Sequence, residues 1–396
     1  MEARLSRSIC RSKKSIIRHR TARTLLICTF LAALVAFTAA VCSAEEPKGV
    51  PVENPLVIDL AASSDLSGIL QKIQSAKVIF IGEEHPNFAH HDVQLAIIRA
   101  LAEQGKRVAI GMEMFQVPYQ GAFDRYLHRE SDERRFLKES HYFKRWGYDY
   151  SLYKPIIDFA RQRGLELLAL NAPREVTDAV SKRGLNALSP SERSQIAKDI
   201  DTGDTEYREV LRKVYNEHPS DMAISFEFFV EAQLVWDETM AETAAAFLAG
   251  NPDATLVVLA GNGHLMCSHG IPKRLKRRTG LQQLVILQDV MPARGVADYL
   301  VYPKARAGEK MVRLGLALKD NADGVRVDGF SPHGDAERAG IRADDVIVAI
   351  DDQPIAAAED VRIVLFGKKV GDDVRLKVRR RILFWTESRE IKVQLK

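Results

Sequence analysis

The sequence predicts an α/β fold, a mostly parallel sheet flanked by helices, followed by a small α+β domain. Three observations predict it. Five short runs are almost continuously apolar. Amphipathic stretches of helical period alternate with them. Beyond about residue 310 the rhythm changes to short strands and turns around one or two helices.

The five runs are "KVIFI" (77–81), "RVAIGM" (107–112), "LELLAL" (165–170), "TLVVLA" (255–260) and "QLVILQ" (283–288). A strand apolar at nearly every residue is covered on both faces, as parallel sheets require. Helical patterns fill the intervals at 90–104, 151–164, 172–184, 189–200 and 221–249. Residues 289–310 collect Pro, Gly and basic side chains, lose the helical period and read as a joint. The expected organisation is a leader over 1–44, the α/β domain over 52–303 and the small domain over 308–396.

The net charge of +4 comes from the leader. Residues 1–44 hold eight Lys/Arg and one acid, so the remainder is mildly acidic and has no electrostatic footprint for nucleic acid. A basic segment precedes the apolar run "TLLICTFLAALVAFTAAVCSA" (24–44), the layout of a secretory signal cleaved near Ala44. A retained membrane anchor of the same length is the alternative. Lipid attachment at Cys42 fits less well, because Val41 is not small. All three readings place the body in the periplasm or cell envelope. Cleavage leaves Cys267 as the single cysteine, which excludes an internal disulfide and a CxxC zinc site.

Polar groups gather where strands end. Gly82, Glu83, Glu84 and His85 follow the first run. Glu113 follows the second within "GMEMF". Gly261, Asn262, Gly263 and His264 follow the fourth. Two strands thus finish in Gly-x-x-His. Glycine allows a sharp exit from the sheet, and ligands of parallel sheets sit at that edge. Imidazoles and carboxylates can ligate a divalent metal such as manganese, iron or zinc, or serve as acid and base. The metal set would be Glu83, His85, Glu113 and His264, and a hydrolase would use Glu84 or Glu113 as base. His90 and His91 open the next helix, and at most one of them can face the strand ends. In the long helical stretch 225–248, Gln233 and Asp237 interrupt an apolar stripe. A buried Asp237 needs a partner, either the site or an arginine such as Arg174.

The stretches "VIFIGEEHPNFAHHDVQLAIIRAL", "GMEMF", "LNAPREV", "VEAQLVWDETMA" and "VVLAGNGHL" together resemble the ChaN-like haem-binding envelope proteins, over about 75–290. These are related to the erythromycin esterase, TraB and Tiki group, which includes metal-dependent hydrolases. The resemblance implies haem as cofactor, bound between two subunits through a tyrosine, and a role in iron acquisition. No motif selects that tyrosine here. Residues placed to contact the cofactor are Glu83, His85, His90, Gln233, Asp237 and His264. The aromatic segment "HYFKRWGYDYSLY" (141–153) is either a porphyrin platform or ordinary packing.

The last segment, with "AERAGI" (336–341), "DVIVAI" (345–350) and a helix over about 358–367, resembles a bacterial PDZ domain of the kind found in envelope proteases. Asp344 stands where such domains usually have glycine. The resemblance implies strand addition of a C-terminal or extended peptide of an envelope protein. Leu314, Gly315, Leu316 and Ala317 would meet its carboxylate and backbone, and Val361 and Leu365 its side chains. No Gly-x-Ser-x-Gly elbow suggests a serine hydrolase. The expected function is haem binding with a peptide-binding module. A metal-dependent hydrolase and a non-catalytic envelope scaffold are the alternatives.

Overall fold

The computed structural model describes Leu56, Ile58 and residues 63–217, 224–308, 312–331 and 335–396. The leader lies outside the described residues. Cys267 is disulfide-bonded, against the expectation of a single cysteine without a disulfide. Among the described residues no helix is long and apolar enough to cross a membrane.

In chain order the first elements are α1 (Leu66–Ile73), β1 (Val78–Glu83), α2 (Phe88–Glu103) and β2 (Val108–Gln116). Then come α3 (Gln120–Leu127), α4 (Glu133–Glu139), α5 (Lys154–Arg163), β3 (Glu166–Asn171), α6 (Arg174–Arg183), α7 (Thr205–Asn216) and α8 (Phe226–Gly250). β4 (Thr255–Gly261), α9 (Ile271–Thr279), β5 (Gln283–Gln288) and β6 (Tyr299–Val301) complete the first sheet. Its order is β3-β2-β4-β1-β5-β6. The pairs β2–β4, β4–β1, β1–β5 and β5–β6 are all parallel. Every residue of β1, β2 and β4 is buried, which is why those runs carry no polar alternation.

Two expectations change here. The joint contains a strand, β6, too short to show a period. The pattern over 189–200 yields only one helical turn, Pro190–Arg193, opened by a Ser189–Glu192 capping box and ended at Ser194.

The chain divides into two compact units. The first runs through His85 and adds Asp92–Glu113 and Leu170–Lys304. The second gathers Pro86–His91, Met114–Ala169 and Ala305–Lys396. The second unit contains β7 (Leu316–Asn321), β8 (Gly324–Phe330), β9 (Val346–Ile350), β10 (Gln353–Pro354), α10 (Ala358–Leu365), β11 (Asp373–Ile382) and β12 (Trp385–Gln394). The sheet runs β12-β11-β9-β8-β7, with β10 beside β9. Its core joins Val325, Val327, Ile347, Val361, Leu365 and Leu376. Within this unit α10 is fastened to the 138–147 segment. Asp360 pairs with Lys138, His141 lies 3.0 Å from Glu359, and Arg362 donates to the carbonyls of Phe143 and Gly147. Asp344 takes φ 67, so the aspartate does hold the left-handed turn that glycine would hold without strain.

Candidate functional site

Strands β2, β4 and β1 are neighbours, so their carboxyl ends lie side by side. Glu83 is in register with Gly261, and Met112, just before Glu113, pairs with Leu259. This juxtaposition brings the two Gly-x-x-His loops together. A Cβ added at Gly261 would sit 3.0 Å from His85 Cε1 and 3.7 Å from Glu113 Oε2. A Cβ added at Gly82 would sit 2.1 Å from Asn262 Oδ1. Each loop's glycine thus makes room for a side chain of the other loop. Gly82 and Gly261 do not adopt positive φ, so space is what these positions require, not the backbone freedom expected from sequence. Gly270 is a third such position, because its Cβ would meet the His264 carbonyl oxygen at 2.1 Å.

Each imidazole is held by a carboxylate. His85 Nδ1 lies 2.8 Å from Glu83 Oε1, and Gln94 of α2 donates to the other oxygen of Glu83 at 2.8 Å. His264 Nδ1 lies 2.6 Å from Asp237 Oδ1. The Tyr207 hydroxyl of α7 donates to Asp237 Oδ2 at 2.7 Å, and the Arg274 guanidinium of α9 lies over the Tyr207 ring at 4.7 Å. Between the two imidazoles stands Glu113. Its Oε2 accepts the Gly261 backbone N–H at 2.7 Å, and its Oε1 faces His264 Nε2 at 3.5 Å. Asn171 donates to the Glu113 carbonyl at 2.9 Å, and Gln288 donates to the Gly82 carbonyl at 2.7 Å. Trp236, turned away from Asp237 by helical geometry, still meets the His264 ring edge-on at 6.2 Å.

Glu83, Glu113, Gln233, Asp237, His85 and His264 are all buried, and Glu84 is half-buried. Burial alone would depress the pKa of His264. The charges of Glu113 and Asp237, with the hydrogen bond to Asp237, outweigh burial and raise it to about 9. At neutral pH the ring therefore holds both protons. Burial first, and then the charge of Asp237, pushes the Tyr207 phenol well above its usual value, so it stays a donor.

The arrangement brings together His85, His264, Glu83, Glu113 and Asp237. Gln233 lies one turn before Asp237 on α8. His90 is fully buried at the start of α2, with its Nε2 3.0 Å from the Asn87 amide, and His91 packs against Tyr153. Asp237 is partnered by His264 and Tyr207, while Arg174 pairs with Asp178 on its own helix. Sequence reasoning offered Tyr207 only as one of several tyrosines that could meet haem iron, and it missed Gln94 and Gln288, visible only as amides in apolar stretches.

His264 and the carboxylates do not fit an axial ligand for haem iron. A doubly protonated His264 has no lone pair to give, and the carboxylate oxygens are engaged by His85, Gln94, Gly261, Tyr207 and His264. Among the described residues no group of three or more His, Cys, Asp or Glu side chains is arranged to hold a metal ion. Four rings of the 141–153 segment are ordinary packing. Tyr142, Phe143, Tyr150 and Tyr153 are buried against one another and against Phe136 and Phe366.

In the second unit β7 is an edge strand beside α10, and Ala358 N–H reaches Asp320 at 2.7 Å. Leu316 opens β7 and Ala317 is exposed. Gly315 takes φ 70 and its carbonyl accepts the Ser331 N–H. Leu314, Val361 and Leu365 belong to the core cluster.

Comparison with known proteins agrees with both regions. Residues 69–275, just over half the chain, match the family described as haem-binding uptake, Tiki superfamily, ChaN, and residues 312–395 match the PDZ domain. The chain is similar to Campylobacter jejuni ChaN, whose structure is described as showing cofacial heme binding (17% identity, 61% of this chain and 92% of that one, TM-score 0.48). It is also similar to the HtrA3 PDZ domain bound to a phage-derived ligand (16% identity, 22% and 85%, TM-score 0.19). A curated relative is Protein RETICULATA-RELATED 5, chloroplastic, of Arabidopsis thaliana, 26% identical over 300 residues. The match covers 68% of this chain and 40% of that protein, so the chain spans about two fifths of the relative's length. The chain belongs to the haem-binding uptake family of the Tiki superfamily that includes ChaN, and it carries a PDZ domain after that fold.

Proposed function

We propose that the protein is an exported haem-binding protein of the cell envelope that serves haem or iron acquisition and uses its PDZ domain to hold a peptide tail. The observation that carries this reading is the family match over residues 69–275. The edge strand β7 beside α10 supports the peptide role, since an open edge can accept an added strand. Haem in this reading is met by residues other than His264, whose two ring nitrogens both face carboxylates. Hemin titrated into the protein should give a Soret shift that saturates at a defined stoichiometry. The shift should persist in His264→Ala. No saturable shift would overturn the reading and leave the envelope scaffold.

The hydrogen-bond geometry favours a second reading, a hydrolase. His264 is a charged acid fixed by Asp237, and Glu113 is a buried carboxylate within reach of it. Glu113 or Glu84 would take a proton from water while His264 gives one to the leaving group. Under this reading Glu113→Gln lowers turnover of an ester or amide substrate by about 10²–10⁴-fold. An unchanged rate would remove it.

A further inference from the structure

The two longest strands of the second unit, β11 and β12, form a hairpin closed by the two-residue turn Leu383–Phe384, since Ile382 pairs with Trp385. Its inner end is anchored by Val374, Leu376, Val378 and Val393 in the core. Its outer end is different. Leu383 is 76% exposed, Phe384 95% and Trp385 58%. Two-residue hairpin turns need positive φ at the first central residue or at both, which favours Gly or Asn there. Leu383 occupies that conformation at φ 47, which a bulky side chain adopts only with strain. Local folding and water both disfavour these residues at this position. Their presence points to a use outside the folded chain.

The strand below the tip adds a second observation. Alternation places Arg375, Lys377, Arg379 and Arg381 on the face opposite the core residues Val374, Leu376 and Val378. Thr386, Ser388, Glu390 and Lys392 lie across from them on β12, so the face is strongly basic. Arg375 pairs with Asp352, and Arg379 lies 3.8 Å from Asp323. Lys392 pairs with Asp373, and Lys377 stands across the ladder from Glu390, whereas among the described residues no acidic partner is found for Arg381, next to the tip.

We propose that this hairpin is a membrane-surface finger. Leu383, Phe384 and Trp385 enter the boundary between headgroups and acyl chains, and the basic face meets anionic lipid phosphates. Apolar and aromatic side chains flanked by Lys and Arg make up segments that bind bilayer interfaces. A protein partner would need a matched cavity for three bulky side chains on a convex tip, whereas a fluid bilayer needs none. The anionic headgroups also match Arg381 beside the tip and the excess of Lys and Arg over acids on this face.

The test uses the full chain with Trp146→Phe and Trp236→Phe, so that Trp385 is the sole indole. The protein is placed with vesicles of phosphatidylcholine alone, or with about a third phosphatidylglycerol, each made with brominated acyl chains. On the anionic vesicles Trp385 emission should shift to the blue and be quenched by bromine, and 1 M salt should weaken the effect. Lys377→Glu with Arg381→Glu should reduce the affinity of this insertion about tenfold or more. Leu383→Asn with Phe384→Gly should abolish quenching while improving the turn, so misfolding does not explain the loss. A Trp385 that stays water-exposed on anionic vesicles overturns the proposal, and so does equal quenching on neutral vesicles or in the Asn-Gly variant.

Discussion

An ionic centre buried in one unit of the molecule behaves differently from one buried in the other. In the PDZ region Arg380 grips Asp345 through two bonds of 2.7 Å, and Asp345 also accepts the Arg342 N–H. Both side chains are buried. The hydrogen bond to Asp345 holds the guanidinium pKa above its already high value, so Arg380 stays a cation at every ordinary pH. At the strand ends the cation is an imidazolium, His264, between Glu113 and Asp237. Its proton is released near pH 9. One centre is a fixed strut. The other can change charge where proton chemistry is useful, and it sits at the sheet edge where ligands bind.

The strut is the easier to break. Arg380→Ala leaves Asp345 buried without its counter-charge and should destabilise the second unit by about 3–5 kcal/mol, read by denaturant unfolding. A loss below about 1 kcal/mol would mean that the pair contributes little.

The titratable centre should respond to pH as the strut does not. Its folded pKa of about 9 lies above the unfolded value near 6.5. The stabilisation is therefore complete below pH 6.5 and is lost as pH rises through 9. Glu113 on β2, Asp237 on α8 and Arg274 on α9 are the charged groups that set it. Asp237→Asn should cost about 1–3 kcal/mol at pH 6 and flatten the slope between pH 6.5 and 9. Thermal unfolding across that range checks both effects. A smaller change probes the interlocked loops. Gly261→Ala should cost about 1 kcal/mol, because its Cβ would stand 3.0 Å from His85 Cε1 and the ring must give way. An unchanged stability and an unmoved His85 resonance would deny the close approach.

Much of this was legible in the sequence. Five continuous apolar runs marked the central strands because burial on both faces removes polar alternation. The two Gly-x-x-His exits and Asp237 stood out because polar groups at those positions are costly without a purpose. What stayed hidden depended on tertiary neighbours. Glu113 finds its donor in the Gly261 backbone, which no side-chain pattern records. Tyr207, 30 positions before its partner Asp237, reads as one apolar member of an amphipathic helix. The short helices α3 and α4 of the 117–145 segment lack the length to show a period. The glycines were visible, but their role in giving room to the opposite loop required the strand order.

The account turns on a charged His264 clamped between two carboxylates drawn from separate strands and helices. Imidazole resonances followed by NMR from pH 5 to 10 test it most directly. The prediction is a His264 pKa near 9 that falls toward the unfolded value in Asp237→Asn. A His264 that titrates near 6.5 in the wild type and is unmoved by that substitution would contradict it.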